Sequence, residues 1–181
     1  MKYILFFFLT LSLSVCAYSQ EIPATKGPVF SEFGQVYAIE DPELILDADT
    51  TYKVIFDIYT DEKKSSVMNP LLNTVARFMN MHAQTGLAEE HMKIAVVLHG
   101  SATKNALTPA AFKKKYRHDH PNSDLLEALD DKGVAIFVCG QSVKSKGYDT
   151  KDISGHVNIS LSALTALVKY QSEGYQLINF N

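Results

Sequence analysis

Lys93-Ile94-Ala95-Val96-Val97-Leu98-His99-Gly100 is the stretch that decides the fold. Five apolar residues run without interruption, and three of them are β-branched. Such a run suits a strand covered on both faces, as in a parallel sheet flanked by helices. A second run of the same kind follows about forty residues later. It reads Gly133-Val134-Ala135-Ile136-Phe137-Val138-Cys139-Gly140-Gln141-Ser142.

Outward from these two strands the period changes. Upstream, Tyr52–Tyr59 is dense in β-branched and aromatic residues and reads as another strand. Between it and Lys93, apolar residues at Val67, Leu71, Leu72, Val75, Phe78 and Met79 predict a helix over 66–86, with Pro70 in its first turn and Gly86 as the stop. Thr108 followed by Pro109 predicts a helix start, and that helix runs to about Tyr116. Asn122 or Ser123 caps a further helix ending at Gly133. A short fourth strand is expected at His156–Ile159 and a helix at Ser160–Glu173. That helix carries Leu161, Leu164, Leu167, Val168 and Gln171 along one side, and a last strand follows at Tyr175–Phe180.

Strands alternating with helices imply βαβ units. The expected fold is α/β: three layers, with a mostly parallel sheet of about five strands flanked by helices. The regular domain spans 51–181. Residues 20–50, with Pro23, Gly27, Pro28, Gly34 and Pro42, read as an irregular extension on the domain surface, with a short strand near Gln35–Ile39.

Residues 1–19 read as a secretory signal. Met1-Lys2 is a basic start, Ile4–Val15 is apolar, and Ala17 and Ser19 are the small residues before Gln20. The expected location is periplasmic or secreted. Leu13-Ser14-Val15-Cys16 also resembles a lipoprotein cleavage box, which would leave Cys16 lipidated. Beyond the leader no stretch is long and apolar enough for a membrane span, which needs about 20 residues.

Hydrophobic residues at 46% and charged residues at 20% suit a globular domain with a core of its own. A formal charge of −3 argues against a nucleic-acid surface. The lysines at 63–64 and 113–115 read as solvated faces. No Gly-x-Gly-x-x-Gly stretch is present, so a dinucleotide site has no support, and no cofactor is expected.

The candidate site lies beyond the carboxyl ends of the strands. There the chain places His99 and Gly100 after one strand, and Cys139, Gly140, Gln141 and Ser142 at the end of another. If the two strands are neighbours, His99 and Cys139 share one edge. A thiol at a helix start is activated by free amides, and His99 would serve as base or counter-ion. Gln141 and Ser142 would donate hydrogen bonds, and glycines after each strand would let a ligand approach. Asp57, near the end of the first strand, reaches toward the same edge. With Cys16 removed, Cys139 is the single cysteine of the mature chain. It is therefore a reactive thiol, an intermolecular bridge or a buried core residue. His118-Asp119-His120 has metal-ligand spacing, but with no further ligands it reads as a solvated loop, and no metal is assigned.

At these residues the sequence resembles the DsrE/DsrF-like family. The resemblance is carried by 93–100, by 133–142, and by Leu161-Ser-Ala-Leu-Thr165 followed by Gln171-Ser-Glu-Gly-Tyr175. It implies a homo-oligomer, a trimer or hexamer. It also implies that a single cysteine carries a persulfide and passes sulfur between a donor and an acceptor protein. Cys139 matches that position approximately. The alternative is a non-enzymatic oligomeric module that binds a small ligand, with a structural Cys139.

Overall fold

The computed structural model describes residues 23–180. The leader and Cys16 lie outside the described residues. Five strands form one sheet: β1 (Tyr52–Ile58), β2 (Met92–Leu98), β3 (Ala135–Cys139), β4 (Asn158–Ser160) and β5 (Gln176–Asn179). Their order is β4-β3-β2-β1-β5, and every pairing is parallel. The helices are α1 (Pro70–Gln84), α2 (Pro109–Tyr116), α3 (Ser123–Asp131), α4 (Gly140–Ser145) and α5 (Ala163–Ser172). No helix among the described residues is long and apolar enough to cross a membrane.

Side chains alternate across each strand, so the sheet has two distinct faces. Val54, Phe56, Ile58, Ile94, Val96, Leu98, Ile136 and Val138 point to one face. There they meet α1 through Leu72, Val75 and Met79, α3 through Leu125 and Leu129, and α2 through Phe112. Ile55, Ala95, Val97 and Cys139 point to the other face, where α5 supplies Ala163 and Ala166. The larger core is therefore on the α1–α3 side, and among the described residues α5 covers the opposite side.

Three expectations are corrected. First, α1 begins at Pro70 rather than Ser66, because Asn69 caps it by accepting from the Leu71 and Leu72 amides. Second, α5 begins at Ala163 and turns its small residues to the sheet. Leu161, Leu164 and Val168 are 68–73% exposed. Third, the extension is irregular but not merely superficial. Phe30 and Val36 are buried, and only a bridge between Thr25 and Val36 stands where a strand was expected. The arm is held by Asn80, which is fully buried on α1. Its Oδ1 accepts from the Val29 and Phe30 amides, and its Nδ2 donates to the carbonyls of Phe30, Phe33 and Gly34.

The His118–His120 segment is also corrected. His120 is 6% exposed and stacks near Phe112. Its Nε2 donates to Asn105 O at 3.1 Å, while Nδ1 accepts the Asn122 amide at 3.0 Å. His118 Nε2 pairs with Ser65 Oγ at 2.7 Å. Among the described residues no cluster of three or more His, Cys, Asp or Glu could hold a metal. The His120 ring must be neutral to keep both bonds, and burial holds its pKa below the ordinary value. A lowered histidine pKa means the unfolded chain takes up the proton first. The contribution is complete above about pH 6.5 and is lost as pH falls below it. The urea midpoint is therefore expected to drop between about pH 6.5 and pH 5. His82, also lowered by burial, adds to the effect. In His120→Gln that slope should flatten; an unchanged slope would assign the acid sensitivity to other groups.

Candidate functional site

The register brings the sequence-derived candidates together. Leu98 pairs with Val138, so the next residues, His99 and Cys139, are neighbours across β2 and β3. Asp57 pairs with Val97, which places it beside them on β1. By strand alternation all three side chains emerge on the α5 face at the carboxyl edge of the sheet.

Cys139 ends β3 and caps α4. Its Sγ accepts the Ser142 amide at 3.4 Å. Burial pushes the thiol up. The Ser142 hydroxyl and the amides of Ser142, Ala163 and Gln141 more than offset that, and the net pKa is below the ordinary thiol value. Ala163 is the first residue of α5, so the sulfur sits where two helices begin. Helix starts carry unpaired amides and partial positive charge, which favour a thiolate. The residue as a whole is only 5% exposed.

His99 Nε2 lies 2.6 Å from Asp57 Oδ1, with the two side chains 22% and 11% exposed. The Tyr59 ring covers the imidazole, with centroids 5.1 Å apart. Ser142 Oγ accepts the Gly100 amide at 3.4 Å and so links the two strand-end loops. The Gln141 side chain is engaged by the neighbouring turn, its Nε2 donating to Leu161 O at 3.4 Å.

The glycines serve packing rather than ligand approach. Gly100 has φ +54°, and a Cβ there would overlap the Tyr59 ring. A Cβ on Gly140 would come within 2.8 Å of Ser160 O. The space expected for a ligand at both positions is filled by the chain itself. The turn from Ser160 to Ser162 lies over Gly140, and Ser160 is the register partner of Cys139.

Reading along the sequence missed a second polar centre at the same end of the sheet. Asp61, just past β1, has a side chain 1% exposed, and Lys104 Nζ lies 3.1 Å from its Oδ2. Lys104 also donates to Glu62 O at 2.9 Å. Desolvation pushes the Asp61 carboxyl up, and the Lys104 ammonium works against that shift. Asn69, Asn105 and Asn122 extend the network through buried hydrogen bonds. The pair fixes the loop after β1 against the 3-10 turn that follows His99. A lysine and an aspartate 43 residues apart in sequence leave no local signal of this contact.

A family model described as the DsrE/DsrF-like family matches residues 53–180. Two solved structures share the fold. One is a protein of unknown function, MTH1491, from Methanobacterium thermoautotrophicum. It is 23% identical with TM-score 0.54, and the match covers 71% of this chain and 99% of that one. The other is the ychN protein from E. coli, 17% identical with TM-score 0.53, covering 72% of this chain and 100% of that one. At these identities the likeness carries the architecture and nothing about chemistry. No curated protein matches the chain.

Proposed function

Because the chain belongs to the DsrE/DsrF-like family, we propose that it is a carrier of sulfane sulfur acting through Cys139. One observation carries the reading. The thiol lies at the start of both α4 and α5, and their amides together with the Ser142 hydroxyl bring its pKa below the ordinary value. A thiol so placed is a nucleophile and a stable seat for the anionic persulfide. In loading, the Cys139 thiolate attacks the outer sulfur of a donor R–S–SH. The donor S–S bond breaks, R–S⁻ leaves, and Cys139–S–SH remains. His99 supplies the nearby base, and Gln141 N and Ser142 N hold the anionic sulfur. A donor reaches the sulfur by displacing the turn 160–162, which Gln141 tethers.

Alkylation of the folded chain by iodoacetamide across pH tests this. Cys139 is expected to react with an inflection below about 8.5, the free-thiol value. An inflection at or above that value, or labelling only on unfolding, would contradict it. The second reading, a binding module with a structural Cys139, is favoured by the residue's 5% exposure and its cap on α4. It predicts that second outcome.

Leu164 and Val168, four apart on the solvent side of α5, and Leu161 just before its cap are all exposed. We take this stripe as the seam through which copies assemble, in keeping with a trimer or hexamer. Leu164→Glu should lower the mass measured by light scattering to that of one chain; an unchanged mass would move the seam elsewhere. We propose further that residues 1–19 direct the carrier out of the cytoplasm. The intact mass of the exported chain should begin at Gln20, and a lipid-bearing Cys16 would replace that assignment.

A further inference from the structure

The carrier reading leaves open which donors can load Cys139, and the surroundings of His99 bear on that choice. Asp57 Oδ1 lies 2.6 Å from His99 Nε2. A carboxylate only accepts, so Nε2 carries the hydrogen. In the neutral ring Nδ1 is then the nitrogen with the free lone pair. No protein group bonds Nδ1 among the described residues. Asp57 bonds the ring and Tyr59 packs over it, from β1 and its following loop, and Cys139 ends the neighbouring strand β3. The side chains of α5 packed on this face are Ala163, Ala166, Leu167 and Tyr170, and none carries a charge at neutral pH, burial pushing the Tyr170 phenol further up. No lysine or arginine bonds Asp57, His99 or Cys139 among the described residues.

Resting on the carrier reading, we propose that Asp57 is a positioning residue that keeps His99 as a proton acceptor and donor, and that the site is built for persulfides of aliphatic thiols. Aliphatic thiolates are basic leaving groups and depart more readily when protonated. The Cys139 proton passes to His99 Nδ1. The Cys139 sulfur then forms a bond to the outer sulfur of R–S–SH as the donor S–S bond breaks. The proton on Nδ1 goes to the departing sulfur. The sum is Cys139–SH plus R–S–SH giving Cys139–S–SH plus R–SH, with no outside oxidant or reductant. Thiosulfate gains nothing from this arrangement. Its leaving sulfite needs no proton, and the dianion would approach a site holding the Asp57 carboxylate and no neighbouring fixed cation.

The test compares three reagents on the same thiol: glutathione persulfide, thiosulfate and iodoacetamide. The full mature chain and Asp57→Asn are followed by intact mass over time. In the unaltered chain, loading from glutathione persulfide should outpace loading from thiosulfate. Asp57→Asn should lose about 10- to 100-fold on glutathione persulfide and at most a few-fold on iodoacetamide, whose iodide leaves without a proton. Should Asp57→Asn fail to fold, His99→Gln carries the same comparison with the same split. Equal losses on all three reagents would overturn the proposal, since they would mean that Asp57 supports only the thiol or the fold. Undiminished loading from glutathione persulfide would overturn it too, as would thiosulfate being the faster donor for the unaltered chain. If the unaltered chain alkylates normally but takes sulfur from neither donor, the carrier reading itself fails, and this proposal with it.

Discussion

Lys104→Met is expected to destabilise the domain by about 3 kcal/mol or more, because it strands the Asp61 carboxylate in a dry site. The Asp61 side chain is 1% exposed and the Lys104 side chain 11% exposed, so water cannot replace the ammonium. Breaking one half of a buried pair costs far more than the pair contributes in sum. The double variant Asp61→Asn with Lys104→Met should therefore be less destabilised than Lys104→Met alone. Urea unfolding of the two variants measures this directly. If the single and double variants unfold together, the pair is not the element that fixes these loops.

The second large effect belongs to Asn80. Its amide bonds five backbone groups of the arm at 2.9–3.0 Å. Asn80→Leu keeps the volume but leaves those groups without their partner. Each buried amide or carbonyl so orphaned costs about 1–3 kcal/mol when water cannot reach it. The arm would be expected to lift, exposing Phe30 and Val36 and costing about 3 kcal/mol or more in total. Limited proteolysis near residues 27–34 reads the arm, and urea unfolding reads the domain. An arm as resistant as in the unaltered chain would show that apolar contacts alone hold it.

Much of this architecture was legible in the residues. Val96-Val97-Leu98 and Ile136-Phe137-Val138 are long apolar runs that only a doubly covered strand satisfies, and they form β2 and β3 side by side. Because those strands are parallel and in register, His99, Cys139 and Asp57 reach one edge, as strand-end reasoning expects. Other features depend on contacts that no local pattern encodes. The large residues of α5 suggested its buried side, yet Ala163 and Ala166 face the sheet and let the helix pack closely. His120 looked like part of a polar loop, but its two ring nitrogens find Asn105 and Asn122 in the interior. Phe30 and Val36 lie in a stretch without period, and Asn80, some fifty residues away, is what draws that stretch in. Polar residues buried with their partners look the same in sequence as polar residues in water.

The most direct test of the central claim is the intact mass of the folded mature chain after exposure to glutathione persulfide, with Cys139→Ala alongside. The carrier account predicts a species heavier by one sulfur atom. That species should be absent from Cys139→Ala and should revert when a small thiol acceptor is added. A chain whose mass does not change, while Cys139 stays reduced and the fold intact, would contradict it and leave Cys139 as the cap of α4.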